Sequence, residues 1–186
     1  MTQRRAEEAG AVYHVCSRGA VRQDIFRDDI DRRRYLDLLA TTVRWTAWNC
    51  LSYCLMGNHV HLLIETPKPN LADGMMRFHG RYAQWFNRRH ELSGHVFQAR
   101  YKPVRVTSDR QLWTTVAYLI DNPVKAGLCA SPDDWPWSSH AAIVSNSAPS
   151  WLAETRLFDL LREFGGDPRT RYRELLKGPG PLSFAA

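Results

Sequence analysis

Strand and helix signals alternate along this chain in the order β-α-β-β-α-β-α, which predicts an α+β domain on one antiparallel sheet. Three observations carry that prediction. An alternating run, His59 to Glu65, follows a two-residue turn signal at Gly57-Asn58. Two long amphipathic helical patterns flank this hairpin. A third helix opens at a capping-box pattern, Ser108-Asp109-Arg110-Gln111.

The elements follow in order. Ala11 to Ser17 reads as a first strand, broken by Arg18 and Gly19. Asp28 or Asp29 caps a helix running to about Trp48, with Ile30, Leu38 and Leu39 among its apolar positions. Cys50 to Met56 forms a second strand, with Leu51, Tyr53 and Leu55 on one face. His59 to Glu65 is the third strand, followed by the loop Thr66-Pro67-Lys68-Pro69. Asn70 caps the next helix, whose core stripe is Leu71, Met75, Phe78, Tyr82 and Trp85. Val96-Phe97 and Pro103 to Val106 suggest a fourth strand, interrupted near Arg100. The third helix is expected to stop by Asn122, because Pro123 disfavours helical geometry in the residue before it.

Four strands with two covering helices make a ferredoxin-like unit. Both covering helices would lie on one sheet face. The other face would carry His59 and His61, with the third helix near it. The chain then divides into a polar N-terminal arm (1–10), a main domain (11–123) and a small helical C-terminal extension (124–186). Within the extension, Trp151 to Phe164 and Arg171 to Lys177 have helical patterns.

Composition narrows the function. The formal net charge of +6 over 186 residues favours an anionic partner, with nucleic acid first. The polar N-terminus lacks an apolar signal core, and no apolar run reaches the length of a membrane span. The expectation is a cytoplasmic protein with no membrane partner. The cysteines Cys16, Cys50, Cys54 and Cys129 contain no Cys-x-x-Cys pair, so reduced thiols are the plain reading. Cys50 and Cys54 would share a strand face, which leaves a zinc site conceivable. No Gly-rich phosphate loop and no Gly-x-Ser-x-Gly element is present, which gives nucleotide hydrolysis and serine chemistry no support.

The chemistry-bearing residues fall on the third strand and third helix. His59 and His61 point to the same face, because strand side chains alternate. Two adjacent imidazoles are half of a divalent-metal shell. On the third helix, Leu112, Trp113, Val116, Leu119 and Ile120 occupy one arc, and Gln111, Thr115, Tyr118 and Asn122 the opposite one. Tyr118 is therefore off the core stripe, with Asn122 one turn beyond it. Tyrosine can act as a covalent nucleophile when its proton is helped away. A metal held by His59, His61 and the Asn122 oxygen would leave room for substrate and water.

From these residues the chain resembles the single-tyrosine HUH transposases, and within them the REP-associated tyrosine transposases. The stretches that carry the resemblance are Tyr13-His14-Val15, "MGNHVHLLIE", "GHVFQARYKPV" and "YLIDNPVKAGL", with "WPWSSH" further on. The resemblance implies that the domain at 11–123 is an HUH transposase domain. It implies Tyr118 as the catalytic nucleophile and His59, His61 and Asn122 as the ligands of Mg²⁺ or Mn²⁺. Imidazole ligands suit Mn²⁺ better than Mg²⁺. It further implies cleavage and rejoining of single-stranded DNA at repeat hairpins through a 5′-phosphotyrosine. Asn122 stands where other insertion-sequence branches often carry Gln, and Asp121 beside it is either a further ligand or surface charge. A hairpin-binding regulator with weak or no cleavage is the alternative, and a rolling-circle nickase a third reading. Monomer and dimer both stay open.

Basic residues complete the reading. Arg100, Lys102 and Arg105 lie near the fourth strand and the third helix, placed for DNA backbone contacts. Arg4 and Arg5 could form an arm that follows DNA. Arg77, Arg81 and Arg88 read as a solvated helix face. Trp135 and Trp137 either stack on unpaired bases or anchor the extension. His14, His79, His90, His95 and His140 lack a second ligand at convincing spacing and read as structural or surface histidines.

Overall fold

The computed structural model describes residues 7–162 and 165–174. Four strands, β1 (Ala11–Arg18), β2 (Asn49–Leu55), β3 (His59–Thr66) and β4 (Lys102–Val106), form one sheet in the order β2-β3-β1-β4. Every neighbouring pair is antiparallel. With α1 (Asp29–Thr46) between β1 and β2, and α2 (Leu71–Arg89) between β3 and β4, this is the expected ferredoxin-like arrangement.

The helices α1 and α2 pack against each other on one sheet face. Between them and the sheet lies an aromatic core. The Tyr35 ring sits 4.6 Å from Phe78 and 4.9 Å from Tyr82, with Val15, Val60, Leu62 and Ile64 buried beneath. The start of α1 is tied to the end of α2. Asp28 accepts from the Ile30 and Asp31 amides, and Arg89 bonds to both Asp28 and the fully buried Asp31. His90 also meets Asp31, at 3.0 Å.

On the other face lies α3 (Asp109–Lys125), in contact with β2 and β4. The sequence places its end at Asn122, but the helix runs three residues further, with Pro123 inside it. Proline removes its own amide donor. The helix tolerates this because the next turn still closes, with the Ala126 amide donating to the Asn122 carbonyl at 3.0 Å. The buried Pro123 ring also packs in the interior.

Among the described residues the extension forms three short α-helices, α4 (Ser139–Val144), α5 (Glu154–Arg162) and α6 (Pro168–Glu174). It covers the free edge of β2, where unpaired backbone groups would otherwise face solvent. The Leu55 amide donates to the Trp137 carbonyl, and the Ala153 amide to the Cys50 carbonyl, each at 2.9 Å. Ser139 Oγ accepts from the Tyr53 amide at 3.0 Å and meets Ser52 Oγ at 2.9 Å. Trp135 donates through Nε1 to the Leu55 carbonyl, which is the anchoring role for this tryptophan. The second half of the Arg171–Lys177 pattern lies outside the described residues.

Several local expectations are corrected. A register shift between Cys50 and Ser52 pairs Cys50 with Ile64 but Cys54 with His61, so the bulge sends the two thiols to opposite faces. That removes the zinc reading for this pair. Asn70 does not cap α2: its side chain accepts from Trp48 Nε1 at 2.7 Å and donates to the Thr46 carbonyl. Glu7 takes over, accepting from the Ala72 amide at 2.7 Å. The buried stripe of α2 ends on Phe86, with Trp85 only partly covered. Val96-Phe97 stands outside β4; Phe97 forms a single bridge with Gly19.

Candidate active site

The site lies at the centre of the sheet, on the face covered by α3. Register decides which side chains share that face. Cys16 of β1 stands opposite His61 of β3, and Arg18 opposite His59. On the far side of β1, Lys102 and Val104 of β4 stand opposite Cys16 and His14. The residues of β1 with even numbers therefore face α3 together with His59 and His61.

The His59 and His61 imidazoles stand at right angles, with ring centroids 5.0 Å apart. His61 is 4 % exposed, while His59 is half-buried. Burial pushes the His61 imidazole down to about 3, with further lowering from the charges of His14, His59 and Arg18. Burial, and then Arg18, lowers His59 as well. Both rings are thus held neutral at physiological pH, the state in which imidazole has a lone pair to offer.

Each ring has one nitrogen engaged. His59 Nδ1 donates to Asn58 Oδ1 at 2.8 Å, and His61 Nδ1 lies 3.0 Å from His14 Nε2. The remaining His61 nitrogen, Nε2, is buried with no hydrogen-bond partner, and so is Nδ2 of Asn122. Buried polar atoms without partners are uncommon and call for a ligand or another explanation. The free Nε2 lone pair of His61, beside the neutral His59 ring, fits a divalent ion, whereas the orphaned Asn122 Nδ2 is a hydrogen-bond donor and only Oδ1 of that amide has a lone pair for a metal. Among the described residues no group of three His, Cys, Asp or Glu side chains comes together for a metal, so an amide or solvent has to complete any shell.

The helix α3 brings Tyr118 to the pair. Leu112, Trp113, Val116, Leu119 and Ile120 are buried, as the wheel predicts, which turns Tyr118 toward the sheet face at 43 % exposure. Its ring stands edge-on to His61, with centroids 5.3 Å apart, and 6.1 Å from His14. Asp121 pairs with Lys125 at 2.8 Å along the helix surface, which resolves it as surface charge.

The basic residues separate. Lys102 shares the site face with Cys16. Arg105 stands opposite Tyr13 on the other face and is ion-paired to Glu8. Arg100 is exposed in the segment before β4. Arg4 and Arg5 lie outside the described residues. Arg77 stacks over the exposed Trp45 ring at 4.4 Å.

Three residues escaped the sequence reading: His14, Asn58 and Arg18. His14 and Arg18 share strand parity with each other, but their nearness to His59 and His61 depends on β1 lying beside β3. Asn58 reads only as a turn residue until its side chain is seen on His59. His79, His90 and His140 are structural, and His95 is exposed. His79 stacks on Phe97 and bonds to Tyr35, and His140 is locked between Asp133 and Tyr172.

Comparison with known proteins gives this geometry a family. The model for IS200-like transposases matches residues 9–122, well over half of the chain. The fold and that match define a DNA transposase, and the chain belongs to the IS200-like transposase family. No curated protein matches. Among solved structures, the chain is similar to a REP-associated tyrosine transposase bound to a REP hairpin. That match has 16 % identity and a TM-score of 0.65, over 81 % of this chain and 89 % of the other. It is also similar to a protein described as a transposase from Deinococcus radiodurans R1. There the identity is 19 % and the TM-score 0.46, over 66 % of this chain and 97 % of that one.

Proposed function

We propose that this transposase cuts and rejoins single-stranded DNA at repeat hairpins through a covalent bond to Tyr118. The observation that carries the reading is the Tyr118 ring edge-on to His61, with the His59 ring 5.0 Å from His61 on the same sheet face. Family membership and the likeness in fold to a hairpin-bound transposase support it.

In this reading Tyr118 Oη attacks the scissile phosphorus. The bond from phosphorus to the 3′ oxygen breaks, the phenol loses its proton and the 3′ oxygen gains one. The products are a 5′-phosphotyrosine and a free 3′-hydroxyl. Attack by another 3′-hydroxyl reverses the step, restores the tyrosine and joins strands with no high-energy cofactor. A divalent ion, Mn²⁺ or Mg²⁺, bound by His59, His61 and Asn122 would polarise the phosphate oxygen and stabilise its developing charge. The chain's own part is to hold two neutral imidazoles, to aim the tyrosine and to place Arg18 and Lys102 where they meet phosphates. Arg100 belongs with them on the DNA path, whereas Arg105 is engaged by Glu8. The catalytic unit spans 11–123, and residues 135–153 of the extension buttress the free edge of β2.

The test is incubation of the protein and Mn²⁺ with a labelled hairpin from repeats flanking its own gene. A covalent adduct on a denaturing gel, lost in Tyr118→Phe and after chelation, supports the proposal. Tight hairpin binding without adduct overturns it in favour of a hairpin-binding regulator.

A further inference from the structure

We infer that His14 and Asn58 are the positioning residues of the histidine pair, each holding one imidazole by Nδ1 so that both rings present Nε2 to the ion. The inference rests on the metal reading above and adds a part that the HUH motif does not contain.

For His59 the assignment follows from a chain of hydrogen bonds. The Asn58 amide sends Nδ2 to the Arg22 carbonyl at 3.2 Å, and a carbonyl can only accept. That contact fixes which end of the amide is oxygen. Asn58 Oδ1 then faces His59 Nδ1 at 2.8 Å, so this nitrogen carries the proton and Nε2 keeps its lone pair. The Arg22 carbonyl is itself set by an unusual turn, because Val21 and Arg22 both have left-handed backbone, with φ of 51° and 60°. A β-branched residue rarely adopts that conformation. Val21 is 96 % exposed, so no packing of its own side chain accounts for the turn. The backbone is pinned before the turn by the Gly19 amide on the Asn58 carbonyl and the Ala20 amide on the Val96 carbonyl, and after it by the Ile25 amide on the Gly57 carbonyl.

For His61 the argument is one of exclusion. Its Nε2 is buried without a partner, and a proton there would be a buried donor with no acceptor. The proton therefore sits on Nδ1 and points at His14 Nε2, 3.0 Å away. His14 acts as acceptor in this pair. Outer partners of this kind fix the tautomer and aim of a metal-binding histidine, and their loss typically weakens metal affinity about 10- to 100-fold.

Two measurements on the full chain test the inference. Nitrogen-15 NMR of the imidazoles in metal-free protein reads the tautomers directly, and both His59 and His61 are expected with the proton on Nδ1. A proton on Nε2 of either ring overturns the inference without touching the metal reading. Mn²⁺ titration by electron paramagnetic resonance, without DNA, reads the ion. His14→Ala and Asn58→Leu are each expected to weaken Mn²⁺ roughly 10- to 100-fold. His14→Gln and Asn58→Asp, which keep an acceptor at the same place, are expected to recover most of it. Circular dichroism establishes that each variant is folded. Wild-type affinity in folded His14→Ala and Asn58→Leu, with binding lost in His61→Ala, overturns the positioning role alone. A wild type that takes up no Mn²⁺ overturns both readings.

Discussion

The Tyr118 ring meets His61 edge-on, with planes 82° apart and centroids 5.3 Å apart, although the two residues lie on different elements 57 positions apart. The contact is made by ring edges across a sheet face, so the phenol remains open to solvent on its other side. Removing only its oxygen leaves the packing intact. Tyr118→Phe is expected to shift stability by no more than about 0.5 kcal/mol, as for other surface substitutions. It should retain hairpin binding and lose all covalent adduct. Thermal melts and denaturing gels on the same preparation check both halves.

Acid should weaken the fold through neutral histidines. Burial holds His61 and His79 at about 3 in the native state, against 6.5 for an unperturbed imidazole. Between those values the unfolded chain binds the proton and the native protein does not, so stability falls as pH drops from about 6.5 toward 3. Each histidine contributes a slope of up to about 1.4 kcal/mol per pH unit. His79→Phe keeps the stack on Phe97 and should make the slope shallower in denaturant titrations, whatever its effect on stability at pH 8.

The Arg89 clamp should matter for stability and not for chemistry. Asp31 is fully buried, and Arg89 is its fixed positive partner; His90 and the Arg27 amide are the other contacts. Arg89→Ala leaves that carboxylate buried with its charge uncompensated, a loss of about 3 kcal/mol. Urea denaturation is the measurement.

Ser139 should be the most sensitive point of the edge cover. Its hydroxyl serves the Tyr53 amide and the Ser52 hydroxyl, all in the interior. Ser139→Ala orphans both and should cost about 1–3 kcal/mol. Amide exchange along β2 should speed up ahead of β1 and β3.

Relief of the left-handed turn should do the opposite. Asparagine tolerates this backbone far better than valine, and the exposed Val21 side chain contributes no packing. Val21→Asn is expected to stabilise by about 1 kcal/mol in thermal melts.

Much of the architecture was legible because local pattern and global fold agree. Alternation along His59–Glu65 and the helical stripe of Leu112, Trp113, Val116, Leu119 and Ile120 each specify which side is buried, and the sheet uses those sides. The misreadings occur where a tertiary contact outweighs a local rule. Pro123 sits inside α3 because its ring is buried and the following turn still closes. Asn70 leaves its capping role for Trp48 and Thr46, and Glu7 supplies the bond instead. The bulge after Cys50 separates two thiols that simple alternation would place together.

By itself the sequence determined the element order, the shared face of His59 and His61, and the position of Tyr118 off the core stripe, because these follow from periods of two and 3.6 residues. Only the tertiary structure decided that β1 lies between β3 and β4, and so that His14 and Arg18 stand beside the histidine pair. It also decided that Asn58 turns its amide onto His59, and that residues 135–153 cover β2. Those relationships depend on strand order, register and side-chain hydrogen bonds between distant segments, and a periodicity carries no information about which strand becomes which neighbour.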